Sequence, residues 1–224
     1  MKKTIFAASI LLSLSIAFSS EMPSNPTILY IGDSHSYGKF GGAIDKNLST
    51  ISDHVILEAS CGSTPNTWLG KSGFEKTVCG FWKKDGVEEI RSVNHQVPKF
   101  SGELEKYRPQ VVVVQLGTNI AAGSKPENSS SSVTEMMKQI KDANAICIWI
   151  GPPDANSKVV TKAKLKIVND MLINLSAKNN CHYIDSLKLT VFPKSSSEGI
   201  HYPADLSKAW GEKVSSAILK ILKK

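Results

Sequence analysis

The sequence predicts an α/β fold, a three-layer α/β/α sandwich around a central parallel sheet of about five strands. Two observations predict it. Short and almost continuous apolar runs, such as residues 28–31 and 111–114, alternate along the chain with longer amphipathic stretches. Apolar runs of this kind are typical of strands buried on both faces of a parallel sheet, and the amphipathic stretches predict the helices that cover those faces.

Each element is predicted for a local reason. Strands are predicted where Ile, Val and Leu run together between turn residues, and helices where apolar residues recur at helical spacing among charged ones. In chain order this gives a strand at 27–31, a helix at 35–48, strands at 54–59 and 109–116 separated by a short helix at 100–106, a helix at 132–143, strands at 146–150 and 182–184 separated by a long helix at 157–178, and a last helix at 203–222. The predicted fold is therefore flavodoxin-like, with the carboxyl ends of its parallel strands on one ligand-binding edge.

Residues 62–97 do not fit this alternation. We expect them to form an irregular loop insertion, and such long loops in compact domains are usually functional. The loop carries Trp68, Phe74, Phe81 and Trp82. These aromatic residues could stack on sugar rings or line an acyl pocket, and they could equally form a small satellite core.

The first twenty residues have a separate character. Lys2 and Lys3 precede an apolar run over residues 5–18, and two serines follow. This pattern is typical of a secretory signal peptide, and the run is short for a membrane anchor. We therefore expect residues 21–224 to form one domain that a bacterium exports to its periplasm or secretes, without stable membrane insertion.

The charge pattern argues against a nucleic-acid partner. The formal net charge is +7, of which Lys2 and Lys3 contribute two, and the lysines are scattered along the predicted helices. The sequence contains only two arginines, and no arginine cluster is interleaved with aromatic residues. A mildly basic exported protein instead favours encounters with anionic polymers such as cell-wall material.

Four cysteines in an exported chain raise the question of disulfides. Cys61 and Cys79 flank a segment rich in Gly, Thr and Trp, and a bridge there would stabilise it. Cys147 and Cys181 lie in apolar stretches, where they could be bridged or remain buried thiols. No CxxC or HxxxH spacing occurs in the sequence, so we expect neither a metal site nor a cofactor.

Candidate catalytic residues follow the predicted strands. Ser34, in Gly-Asp-Ser, follows the first strand, at a strand-to-helix turn where backbone amides can receive negative charge. Gly62 follows the second strand, and Asn119, in Gly-Thr-Asn, follows the third. His201, in Glu-Gly-Ile-His, comes just before the last helix. A hydroxyl, a base and hydrogen-bond donors are the groups that serine-dependent acyl transfer requires.

In these motifs and their order, the chain resembles the SGNH, or GDSL, hydrolase family from about residue 26 to its end. The resemblance implies that Ser34 is the nucleophile and His201 the base. It implies an oxyanion hole made by the N–H of Ser34, the N–H of Gly62 and the side-chain amide of Asn119. The family typically has aspartate three residues before the histidine, and here Glu198 stands there. Glu198 could complete the triad or point to solvent and leave a dyad. We take as candidate substrate-binding residues His35, Trp68, Trp82 and Thr118.

These features predict an exported serine esterase that removes acyl groups, above all O-acetyl groups, from cell-wall or other glycans. A lipase or lysophospholipase and an acyltransferase are alternatives, because the same machinery serves long acyl chains and sugar acceptors. An alternative of another class is a non-catalytic glycan-binding envelope protein on the same scaffold. The sequence leaves the acyl group, the alcohol and the oligomeric state open.

Overall fold

The computed structural model describes residues 22–73, 76–194 and 198–223. The predicted signal segment, residues 1–20, and Phe74 lie outside the described residues. Within them, the strands are β1 Ile28–Gly32, β2 Val55–Ser60, β3 Phe81–Asp85, β4 Glu88–Ser92, β5 Val111–Gln115, β6 Ile146–Ile150 and β7 His182–Ile184. The helices are α1 Lys39–Leu48, α2 Pro65–Trp68, α3 Phe100–Tyr107, α4 Thr118–Ala122, α5 Ser130–Asp142, α6 Lys162–Lys178 and α7 Ala204–Leu222, with 3-10 turns at Pro126–Ser129 and Ser186–Lys188.

The strands form one sheet in the order β4-β3-β2-β1-β5-β6-β7. The four pairings β2–β1, β1–β5, β5–β6 and β6–β7 are parallel, so the predicted central parallel sheet of about five strands is confirmed. Gly32 lies opposite both Ala59 and Gln115. The three central strands therefore end at the same level, and the loops that follow them begin side by side.

The prediction of an irregular insertion over residues 62–97 is wrong in part. That segment contains α2 and the hairpin β3–β4, which adds two antiparallel strands beyond β2. Phe81 and Trp82 are both buried, and they pack into the cores on opposite faces of the sheet. Gly86 has φ +59° and is the first of the two residues between the paired Asp85 and Glu88, a position where two-residue hairpin loops favour glycine. The glycine at position 86 is the sequence signal that could have indicated this hairpin.

Two predicted helices begin later than expected. The segment after Ser34 forms a turn, and α1 starts only at Lys39. Helix α6 starts at Lys162, because the Thr161 side chain accepts a hydrogen bond from the N–H of Lys164 and caps the first turn.

Two hydrophobic cores cover the two faces of the sheet, as a three-layer fold requires. In β1, Ile28 and Tyr30 face a core shared with α1 and α7, in which the Phe40 ring stacks on Trp210 at 3.6 Å between centroids. The alternate strand residues face the other core, which is shared with α3, α5 and α6. This alternation follows the two-residue period of a strand.

Ion pairs fix the hairpin to its neighbours. Lys83 of β3 pairs with Glu58, which is buried in β2, and lies 3.5 Å from Glu103 of α3. Burial and the neighbouring Glu103 carboxyl raise the pKa of Glu58. Lys84, on the other face, lies 2.5 Å from the carboxylate of Asp45 in α1. The hairpin is therefore attached to both layers of helices.

The structure joins both candidate cysteine pairs as disulfides, which decides for Cys147 and Cys181 between a bridge and buried thiols. Cys61 and Cys79 lie 5.3 Å apart between Cα atoms, and Cys147 and Cys181 lie 4.6 Å apart. The first disulfide ties the loop after β2 to the segment before β3. The second joins β6 to the residue before β7.

In the part of the chain that the structure describes, no helix combines the length and the apolar character that a membrane crossing needs.

Candidate active site

Four segments converge at the carboxyl edge of the parallel strands. Ser34 follows β1, Gly62 follows β2, and Asn119 lies in the first turn of α4 after β5. The fourth segment carries Glu198 and His201 and leads into α7. The equal level at which β1, β2 and β5 end brings the first three together.

Ser34, His201 and Glu198 form a continuous chain of hydrogen-bonding atoms. The Nε2 atom of His201 lies 2.9 Å from the Ser34 Oγ, and its Nδ1 lies 2.6 Å from the Glu198 Oε1. The other carboxylate oxygen, Oε2, accepts the backbone N–H of His201 at 2.5 Å. The Glu198 carboxylate therefore contacts both the backbone and the imidazole of His201, three residues further along the same turn.

Gly199 gives that turn its shape. Its φ of +83° favours glycine, and a Cβ there would lie 2.6 Å from the carbonyl oxygen of Asn156. The N–H of Asn156 in turn donates to the Gly199 carbonyl at 2.8 Å. These contacts hold the Glu198–His201 turn against the loop that follows β6.

The turn that presents Ser34 is fixed from beneath by buried polar groups. Asp33 is fully buried, and its Oδ1 accepts the backbone N–H of His35 at 3.0 Å. Burial raises the pKa of Asp33 to about 7, although that hydrogen bond opposes the shift. The Ser36 hydroxyl donates to the Gln115 side-chain oxygen at 2.7 Å, which anchors the same turn to β5.

Gly62 and Asn119 are connected through Ser63, which follows Gly62 in the chain and contacts Asn119. Gly62 has φ +78°, which favours glycine, and a Cβ there would lie 2.3 Å from a methyl carbon of Val78. The side-chain amide of Asn119 donates one N–H to the Ser63 carbonyl at 3.0 Å. An amide nitrogen carries two hydrogens, so the second can serve a ligand.

Ser63 is a site residue that the sequence reasoning missed. Its hydroxyl donates to the Gly32 carbonyl at 3.3 Å and accepts the indole N–H of Trp68 at 3.0 Å, while its carbonyl holds Asn119. It therefore connects three segments of the site. No motif marks it, because these partners are adjacent only in the folded chain.

The four candidate substrate-binding residues are all largely buried. Trp68 is fully buried in the core, so the prediction that it contacts substrate is wrong, because its indole serves packing and the Ser63 bond. Thr118 is also buried, at the start of α4. Trp82 is 4% exposed and lies beneath the guanidinium of Arg91, 4.0 Å from it.

His35 packs behind His201. The two rings lie 5.1 Å apart between centroids, and the other side of His35 meets the edge of Trp210 at 5.3 Å. Burial, together with the charge of His201, lowers the pKa of His35 to about 3. A neutral ring at this place supports the orientation of His201.

The site is open to solvent. The side chains of Glu198 and His201 are 51% and 47% exposed, at the surface of the sheet edge. Both side chains can therefore be reached from solvent.

Comparison with known proteins agrees with the motifs. The model of the GDSL-like Lipase/Acylhydrolase family matches residues 30–207. Protein BcsX from Komagataeibacter xylinus is 27% identical over 212 residues, which cover 88% of this chain and 78% of that protein.

Solved esterase structures share the fold. One is the psychrotrophic esterase EstA from Pseudoalteromonas sp., inhibited by monoethylphosphonate, with a TM-score of 0.61, 19% identity, and coverage of 88% of this chain and 99% of that one. Another is Est24, a carbohydrate acetylesterase from Sinorhizobium meliloti, with a TM-score of 0.62, 14% identity, and coverage of 87% and 99%. The family match spans most of the chain and confirms the predicted SGNH/GDSL-type serine hydrolase acting on ester bonds: the protein belongs to the GDSL-like Lipase/Acylhydrolase family.

Proposed function

We propose that the protein is an exported serine esterase that removes acyl groups, above all O-acetyl groups, from cell-wall or other glycans. The observation that carries the catalytic part is the contact chain from the Ser34 Oγ through His201 to Glu198. In this proposal Ser34 is the nucleophile, His201 the general base, and Glu198 the acid that completes the triad.

The reaction follows from these contacts. His201 Nε2 takes the Ser34 proton as Oγ attacks the ester carbonyl, and Glu198 stabilises the imidazolium and keeps a proton on Nδ1. His201 then gives its proton to the leaving alcohol, which departs and leaves an acyl group on Ser34. Water, deprotonated by His201, attacks this acyl-enzyme and releases the acid.

The negative oxygen of each tetrahedral intermediate needs donors. The N–H groups of Ser34 and Gly62 and the free amide hydrogen of Asn119 are suited to this, because each belongs to a segment that meets at Ser34. Removing one such donor commonly costs about 3 kcal/mol of transition-state stabilisation. Asn119 is kept in place by the Ser63 carbonyl, so its amide is oriented before substrate binds.

The preference for a short acyl group on a polymer is supported by the open site. A glycan chain can cross a surface on which His201 and Glu198 are about half exposed. The likeness to Est24, a carbohydrate acetylesterase, is in keeping with this substrate class. A long acyl chain would instead gain from burial in an enclosed apolar channel.

Export is supported by the signal-like residues 1–20 and by the two disulfides, since disulfides persist in oxidising compartments. We further propose that residues 21–224 fold as one domain, in which α2 and the β3–β4 hairpin form the insertion.

The test is acetate release from an O-acetylated glycan by the purified protein, beside turnover of p-nitrophenyl esters with short and long acyl chains. We expect acetate release and a preference for the short chain, both lost in Ser34→Ala. Rapid turnover of long-chain esters with the glycan left intact would overturn the glycan assignment in favour of a lipase. Labelled acetyl groups that move to added sugar hydroxyls instead of water would identify an acyltransferase.

A further inference from the structure

A cleft of about 630 Å³ is lined in part by Tyr37 and Gly38, which end the turn that begins at Ser34. Its floor and walls come from the turn after Ser34, from α1, from the β3–β4 hairpin and from α7. It is lined by Tyr37, Gly38, Lys39, Gly42, Ala43, Lys46, Trp82, Arg91 and Lys208. Gly38 is the fourth residue after Ser34, so their Cα atoms are at most about 14 Å apart. A polymer bound with one ester at Ser34 could therefore continue into this cleft.

The charged side chains that line the cleft are all cationic: Lys39, Lys46, Arg91 and Lys208. Arg91 lies 3.0 Å from Glu89, and Lys208 lies 3.6 Å from Glu212, in exposed pairs. Lys39 and Lys46 form no ion pair with the residues that the structure describes. Lys39 and Lys46 are therefore available to an incoming anion. The ion pairs of Arg91 and Lys208 are exposed, and exposed ion pairs are weak.

Arg91 is held in a fixed orientation. Its guanidinium lies 4.0 Å from the Trp82 ring and 5.2 Å from the Tyr37 ring, and its Nη1 donates to the Tyr37 carbonyl at 3.1 Å. A guanidinium with its plane fixed loses little freedom when it binds a carboxylate through two parallel N–H groups. The ion pair between Lys84 and Asp45 fixes the hairpin wall against α1.

Helix α1 adds to the positive potential. It begins at Lys39, its N-cap Gly38 has no side chain that could cap it, and no acidic residue occurs in its first turn. The amino end of its dipole thus remains uncompensated on the cleft side.

Resting on the proposed esterase function, we propose that this cleft binds the carboxylates of an acidic glycan. The preferred substrate of the enzyme is then an O-acylated polysaccharide that carries negative charges, rather than a neutral one. The aromatic faces of Tyr37 and Trp82 lie beneath Arg91, so the cleft combines cationic side chains with apolar ring surface.

The experiment compares two forms of one polymer: O-acetylated polygalacturonate, and the same material with its carboxylates methyl-esterified. The readout is the KM for acetate release on each, and their ratio. In the double variant Lys39→Gln, Lys46→Gln, we expect the preference for the acidic form to fall about fivefold at low salt, as expected for the loss of two exposed charge contacts. Arg91→Gln should lower it in the same direction.

The control variant is Lys141→Gln, Lys178→Gln, which removes the same charge from the last turns of α5 and α6. It should leave the preference as in the wild type, and the wild-type preference should disappear near 1 M salt, where screening is nearly complete. Equal effects of the two double variants on the preference, or no effect of Lys39→Gln, Lys46→Gln, would overturn the proposal that the cleft binds carboxylates.

The failure of the proposed function has a separate signature. If the wild type releases acetate from neither polymer, the glycan esterase proposal fails. Retention of the protein on immobilised, unacetylated polygalacturonate then tests whether the cleft binds carboxylates. Retention that is weaker in Lys39→Gln, Lys46→Gln than in the control variant would support it, and equal retention would overturn it.

Discussion

Glu198 stands where the family typically has aspartate, and the variant Glu198→Gln tests whether Glu198 acts as the acid of the catalytic triad. The substitution removes the charge and keeps the shape. In the wild type, Oε1 lies 2.6 Å from His201 Nδ1, and Oε2 accepts the His201 backbone N–H. The carboxylate therefore acts on the imidazolium that forms when His201 takes the Ser34 proton.

The size of the effect follows from the geometry. A hydrogen bond to a charged group contributes about 1.5–3 kcal/mol. Both side chains are about half exposed, and solvent screening favours the lower part of that range. About 2 kcal/mol corresponds to a loss of about 30-fold in kcat.

The assay is p-nitrophenyl acetate hydrolysis, with thermal unfolding to verify that each variant is folded. Glu198→Asp keeps the charge but shortens the reach by one methylene, so we expect a smaller loss than in Glu198→Gln. The matched control is Glu212→Gln, an exposed glutamate on α7, which should keep wild-type kcat. A kcat of Glu198→Gln within about threefold of the wild type, with Ser34→Ala inactive, would refute the triad and leave a Ser34–His201 dyad.

Three further predictions concern the support of the site. Removing the Cys61–Cys79 disulfide by serine substitution should lower the free energy of unfolding by about 3 kcal/mol, and it should also lower kcat because Gly62 adjoins this disulfide. Removing the Cys147–Cys181 disulfide should lower the free energy of unfolding by about 4 kcal/mol and leave kcat unchanged. Denaturant titration and turnover measurements check both expectations. Asn119→Ala should lower kcat by roughly 100-fold with little change in unfolding, and an unchanged kcat would exclude Asn119 from the oxyanion hole. Between about pH 4 and 6.5, folded Asp33 binds more protons than in the unfolded chain and folded His35 fewer, so their effects on stability cancel. The unfolding free energy of Asp33→Asn should therefore rise with pH over that range and that of His35→Gln should fall, and flat curves for both would contradict these pKa shifts.

The sequence predicted what is local. Ser34, Gly62 and Asn119 each follow a strand that its own apolar run identifies, and parallel strands place such residues on one edge. The Glu198–His201 contact spans three residues within one turn, so a motif could indicate it. The central strands could be predicted for the same reason.

The features that could not be predicted from the sequence depend on contacts between segments that are distant along the chain. Trp68 is an aromatic residue in a segment without periodicity, and only the folded chain decides that its indole turns inward to Ser63. Ser63 acts through partners from β1 and α4. The cations of the cleft come from α1, the hairpin and α7, so no spacing along the chain predicts that Lys39, Arg91 and Lys208 lie around one volume.

The most direct test of the central claim is mass spectrometry of the purified protein after reaction with a fluorophosphonate, which attacks activated serine hydroxyls. The account predicts one adduct, on Ser34, that is absent in Ser34→Ala and forms much more slowly in His201→Ala. A natively folded wild type that remains unmodified, or that carries its adduct on another residue, would contradict the assignment of Ser34 as the nucleophile.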